Sequence, residues 1–447
     1  MKQGVSTYLA LLILLLGGIS FIIFPILGNL EFTPQESDLI ALIKTIEHDN
    51  IEILFRGDSN QGVVNYAYAY IVKLLLSLFD TQNIAFILRL PSAIFTIVLT
   101  ACLFRFDGVG EKLNKSFFAS LIFLSSGFVN LLCFTASPVI LPAVLLILAL
   151  VSLYHWLRRP TKRNTIIFSC ATAMAGLLLG GLSSIIMVVI ASIFFATTRI
   201  GSIKNCLIFA SSIILSWAIL FFVVFIITGN KAIAFSTFDF STDLEKLIPQ
   251  YYNIAYVFLN YIIFAIFPWS IPVIISLFWI LRNPKWIVAK FKALKLLQRF
   301  GIVIFLISLP SFFFFTKLSL VLLMAAMFFN MSLISNFLLT QLRNHPSVWR
   351  ISGLGCAIIV GVMSILFIIL NLDVEISLFG YILKMVKCNW NGWNIVLLIA
   401  IVVSIYSLWR NKRDIMKNNR YLYNLIVLYL LAQTLYLGYI SSNFILL

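Results

Sequence analysis

Residues 84–104, IAFILRLPSAIFTIVLTACLF, carry one cation, Arg89, and no acid. Wound as an α-helix at about 1.5 Å per residue, the stretch is about as long as the roughly 30 Å hydrocarbon core of a bilayer is thick. The segment reads as a membrane span, with Arg89 close to its outer end.

The rest of the 447-residue chain is of the same kind, being 62% hydrophobic and 11% charged. A soluble domain has about 45–50% apolar and about 25% charged residues, so that class is excluded. Spans are expected near 8–28, 84–104, 117–134, 138–157, 165–180, 182–198, 205–228, 260–281, 301–315, 318–340, 351–371, 393–409 and 421–442, about thirteen in all. The expected fold is an all-α polytopic membrane protein. The first segment is long and lacks a small-x-small cleavage pattern at its exit, so it reads as a retained helix and not as a signal peptide. The pair 165–198 is short for two helices, and Gly180-Gly181 is taken as the turn between them.

A formal charge of +16 suggests a nucleic-acid partner until its distribution is read. The cations cluster at Arg105/Lys112/Lys115, Arg158/Arg159/Lys162/Arg163, Arg199/Lys204, Arg282 to Arg299, Arg343/Arg350 and Arg410 to Arg420, after every second apolar segment. The positive-inside rule puts these loops and the N-terminus in the cytosol, and an odd span count puts the C-terminus outside. Nearly all acids other than Asp107, Glu111 and Asp414 then lie at the outer face. The six cysteines fall in or beside apolar spans without CxxC spacing, which excludes a disulfide framework and a metal knuckle and leaves them as small apolar fillers.

Two outer segments, 29–83 and 229–259, are longer than a turn needs, and loops of that length are usually structured or functional. In the first, Leu39, Leu42, Ile43 and Ile46 recur at helical spacing among Asp38, Lys44, Thr45 and Glu47, which predicts an amphipathic interfacial helix. Thr33-Pro34-Gln35-Glu36 is a capping box for its start, with Thr as N-cap and Glu at the third position. Residues 63–79, with three tyrosines and Lys73, form a second helix placed on or dipping into the outer leaflet.

The order of these features resembles the GT-C glycosyltransferases, in particular the family 39-like branch with the protein O-mannosyltransferases and lipid A aminoarabinose transferases. Pro34-Gln35-Glu36 looks like that family's Pro-Asp-Glu element. Arg89-Leu-Pro-Ser-Ala93 looks like its arginine-leucine-proline-serine-alanine element, Phe267-Pro-Trp269 like its proline-tryptophan step, and Lys317 like an outer lysine before the tenth span. The resemblance covers residues 1–340 as a transmembrane catalytic module; 341–447 are further spans, with no soluble domain. It departs at Gln35, where the family has Asp, in the missing lysine-proline-proline element near Asn60 to Asn65, and at Gly180 to Ser184, which lacks the family's lysine.

The resemblance implies transfer of a sugar from a polyprenyl-phosphate donor to an acceptor glycan, lipid or protein at the outer face of a bacterial inner membrane. It also implies an acid in the first outer loop as base or metal ligand, and cations on the lipid phosphate. Such chemistry needs a carboxylate to take the acceptor proton and positive charge on the leaving phosphate. The candidate acids are Glu36, Asp38 and Asp58, and any divalent metal ion would sit on Glu36 or Asp38. Each acid has a plainer reading: a cap for Glu36, a first-turn acid for Asp38, a turn residue for Asp58. Lys73, Arg89 and Lys317 are the phosphate candidates, against snorkelling or anchoring at the interface. Trp269 reads as part of a helix entry and aromatic belt, and His155 as an interface residue. Two other classes remain open: a non-catalytic relative that binds lipid-linked glycan or a partner, motivated by Gln35, and a transporter, flippase or glycan polymerase, which would carry charges buried in mid-span.

Overall fold

The structure, a computed structural model, describes residues 34–46, 62–79, 84–107, 113–179, 181–197, 203–228, 296–314, 316–344, 376–378 and 381–383, with isolated positions at 266, 269–271, 273–274 and 402. The expected spans at 8–28, 351–371 and 421–442, and nearly all of 260–281 and 393–409, lie outside the described residues.

The helices are α1 (Pro34–Thr45), α2 (Gly62–Leu78), α3 (Ile84–Asp107), α4 (Leu113–Leu124), α5 (Gly127–Phe134), α6 (Ile140–Arg158), α7 (Lys162–Leu179), α8 (Gly181–Thr197), α9 (Ile203–Thr228), α10 (Leu296–Phe314) and α11 (Thr316–Asn344). Among the described residues, Ile84–Phe106, Ile140–Arg158 and Leu320–Leu339 are long and apolar enough to cross a membrane. The chain is an integral membrane protein. A short antiparallel pair, β1 (Ile376–Leu378) with β2 (Tyr381–Leu383), adds to the all-α expectation; Ser377 stands opposite Ile382.

The centre of the bundle is α3, α4, α6 and α11, each packed on at least two of the others, with α10 folded back along α11. Phe194 stacks on Phe300 at 4.3 Å between ring centroids, and Phe106 meets Tyr154 edge-on at 5.1 Å. His155 joins that aromatic cluster, 5.5 Å from Phe106, with its own side chain exposed. A second layer of α7, α8 and α9 leans on it through α6 and α7. α7 and α8 are separate helices on either side of position 180, as the doubled glycine suggests.

The expected span 117–134 is not one helix. It breaks at Ser125-Ser126 into α4 and α5, because side chains compete there for backbone partners. The Ser125 and Ser126 hydroxyls donate back to the Leu121 and Phe123 carbonyls at 2.6 and 2.8 Å, and the Asn130 amide donates to the Ser126 carbonyl at 2.8 Å. A broken helix at membrane depth survives only when protein groups satisfy its ends in this way. Trp269 completes the seal: its indole N–H donates to Ser125 Oγ at 2.7 Å, and Phe118 meets its ring at 5.2 Å. The ring is fully buried, so Trp269 is a packing residue and not part of an aromatic belt. Cys102 and Cys170 are free thiols on exposed helix faces.

Candidate functional site

α1 lies against the bundle with Leu39, Leu42 and Ile46 buried and Ser37, Asp38, Ala41 and Lys44 exposed. Its 3.6-residue period supplies the apolar stripe, and protein covers that stripe here. The same rotation turns Glu36 inward and Asp38, two residues and about 200° further on, outward.

Glu36 is completely buried and forms a fork-to-fork ion pair with Arg89 of α3. Arg89 Nε donates to Oε1 at 2.7 Å and Nη2 to Oε2 at 2.8 Å. The Ala136 N–H, in the turn between α5 and α6, donates to Oε1 at 3.0 Å. One carboxylate thus ties three segments of the chain. Two charges buried together demand this geometry, because each would be strongly disfavoured alone in a medium of low dielectric constant.

One helical turn along α3 a neutral node repeats the pattern. The Tyr68 hydroxyl of α2 donates to the Leu88 carbonyl at 2.8 Å and lies 2.9 Å from Ser92 Oγ. Ser92 Oγ in turn accepts from the Ser137 N–H at 3.3 Å. Since the Tyr68 proton goes to Leu88, the Ser92 proton goes to the Tyr68 oxygen, and each hydroxyl has its partner. The consecutive amides of Ala136 and Ser137 therefore end on α1 and α3, at Glu36 and at Ser92, the residue after Pro91 in the chain.

Lys73 of α2 is half-buried and donates to the Ile46 carbonyl at the far end of α1. A cation at a helix C-terminus complements its dipole and satisfies an orphan carbonyl. α1 is held at its start by Arg89 and at its end by Lys73. Lys317 occupies the second position of α11. Asp58 lies outside the described residues, as does the Thr33 half of the capping box.

The structure thus brings Glu36 and Arg89 together, places Lys73 at the other end of the same helix, and leaves Asp38 on the exposed face. Tyr68, Ser92 and the Ala136-Ser137 turn were missed by sequence reasoning. Ser92 sits inside the arginine-leucine-proline-serine-alanine element and Tyr68 is one of three closely spaced tyrosines, but neither type announces its partner. Among the described residues no group of three or more His, Cys, Asp or Glu comes together. Both Glu36 oxygens accept from Arg89.

The chain shares its fold with two solved structures of one membrane protein. The likeness is to ArnT from Cupriavidus metallidurans, solved bound to undecaprenyl phosphate: TM-score 0.61 at 14% identity, over 96% of this chain and 77% of that one. The apo form of the same ArnT gives a TM-score of 0.59 at 13% identity, over 97% of this chain and 77% of that chain. No family model and no curated protein matches the sequence.

Proposed function

We propose that the chain is a glycosyltransferase of the bacterial inner membrane, moving a sugar from a polyprenyl-phosphate donor to a hydroxyl acceptor at the outer face. The observation that carries this reading is the docking of α1, an acid-bearing helix fixed to the bundle by Glu36 and Arg89, in a chain whose fold is like that of ArnT. In that frame Glu36 and Arg89 are positioning residues. A carboxylate that accepts from a guanidinium through both oxygens is poorly placed to take another proton, since protonation would break the pair.

Asp38 is then the base, with Asp58 the other acid of the loop available to it. The acceptor oxygen attacks the anomeric carbon, the bond from that carbon to the phosphate oxygen breaks, and its electron pair leaves with the lipid phosphate. The acceptor proton passes to Asp38. Lys73 keeps one of its three donors on Ile46 and offers the others to the phosphate, with Lys317 as the second cation.

A second reading, binding of lipid-linked glycan without transfer, is favoured by Gln35 together with the occupied carboxylate of Glu36. Both are tested by assaying transfer of radiolabelled sugar from mixed polyprenyl-phosphate donors in proteoliposomes, wild type against Asp38→Asn. Transfer that disappears in the folded variant supports the first reading. Retained donor binding with no transfer by wild type from any donor overturns it in favour of the second.

A further inference from the structure

At the end of the bundle opposite the Glu36 site, the turn between α6 and α7 gathers Arg158, Arg159, Lys162 and Arg163, and all four side chains are exposed. Local contacts shape the turn. Arg159 N–H donates to the His155 carbonyl at 2.9 Å, the Arg158 guanidinium sits 5.3 Å from the Tyr154 ring centroid, and Thr161 Oγ1 accepts from Asn164 N–H at 3.4 Å. None of the four cations makes an ion pair among the described residues.

From Lys162 the same face of α7 continues at four-residue steps through Ile166, Cys170 and Met174, each exposed. Residues at that spacing share one side of a helix. Lys162 to Met174 spans about 18 Å along the axis, close to the roughly 15 Å hydrocarbon half-thickness of one leaflet. The surface therefore has cations at one end and an apolar strip one leaflet deep below them. Its charge and length match a phospholipid with its phosphate on the cations and an acyl chain along the strip.

We propose that the α6–α7 turn and this face of α7 bind an anionic phospholipid of the leaflet they face, the cytosolic one by the positive-inside rule. A zwitterionic headgroup brings its own cation against four others, whereas an anionic headgroup meets only attraction. The strip selects a chain-bearing phosphate over a free one.

The test uses the full chain in mixed micelles with phosphatidylglycerol or phosphatidylcholine of matched acyl chains, reading the unfolding midpoint and, by native mass spectrometry, the lipid retained. Phosphatidylglycerol should raise the midpoint and be retained where phosphatidylcholine does neither. Inorganic phosphate at equal concentration should give a smaller shift. R158Q/R159Q/K162Q/R163Q should lose the preference. Since removing four cations from one turn can disturb insertion, I166S/M174S, with its charges intact, is the second variant and should retain less phosphatidylglycerol. Equal midpoints in the two lipids, an equal effect of inorganic phosphate, or undiminished phosphatidylglycerol retention in either variant overturns the proposal.

Discussion

Two polar seams cross this apolar molecule, and they are built on opposite principles. One seam joins α1, α2, α3 and the turn before α6 through a buried ion pair and a hydroxyl relay. The other joins α7, α8 and α9 with small neutral groups: Trp217 Nε1 donates to Ser184 Oγ at 2.9 Å, and Ser184 Oγ donates to the Thr172 carbonyl at 3.2 Å. Gly176 lies so close to the Trp217 ring and the Ser184 hydroxyl that a Cβ there would overlap both. The first seam depends on every charge having its partner. The second depends on nothing larger than hydrogen at one position, and small residues and modest hydrogen bonds are what bring membrane helices together.

The contrast breaks most sharply at the ion pair. Replacing Glu36 by Ala or Arg89 by Met orphans a buried charge and should cost about 3–5 kcal/mol each, whereas Glu36→Leu with Arg89→Met should recover most of it. Reversible unfolding of the purified chain in mixed detergent reads the coupling directly. Additive losses in the double variant would mean the two residues are not held together by their charges.

At the neutral seam the expected loss is smaller and of another kind. Gly176→Ala should cost about 1–3 kcal/mol by overpacking, and trimming Trp217 to Leu in the same chain should relieve part of it. A Gly176→Ala variant as stable as wild type would show that the seam has slack the contact geometry does not display. Smaller still, Tyr68→Phe removes one hydroxyl from the relay and should cost about 0.5–1.5 kcal/mol, since Ser92 can turn its proton to the Leu88 carbonyl in its place. The same unfolding measurement ranks it against the ion pair, and a loss equal to that of Arg89→Met would place Tyr68 within the charged node.

What the sequence discloses follows the same divide. Hydropathy period and length place most of the described helices, and the apolar stripe of α1 is legible at Leu39, Leu42 and Ile46 because a 3.6-residue repeat needs no partner to be seen. Glu36 and Arg89 are also visible one by one, but their pairing across 53 positions of chain is not, since a span end and a helix start each have a sufficient local explanation. Ser125 and Ser126 fail for a related reason. A serine in an apolar span is compatible with an unbroken helix, and only Asn130 and Trp269 closing on the same turn decide the break. The turn at Ala136 and Ser137 contributes backbone amides, which any residue but proline supplies, so no residue type could have marked it.

The smallest effect on stability is expected at Asp38, and it separates the two roles that the sequence gives to one acidic stretch. Asp38 is exposed, and among the described residues no hydrogen bond or ion pair ties it to the bundle, so Asp38→Asn should shift unfolding by no more than about 0.5 kcal/mol. If Asp38 takes the acceptor proton, the same variant should lose transfer while still binding the polyprenyl-phosphate donor, because the proposed function gives the phosphate to Lys73 and Lys317 and not to Asp38. Glu36→Gln should instead lower stability and transfer together. Were Asp38→Asn to keep full transfer, the proton would have to go to another acid, and Asp58 would be the first to test; were both acids dispensable, a docked α1 would serve binding alone.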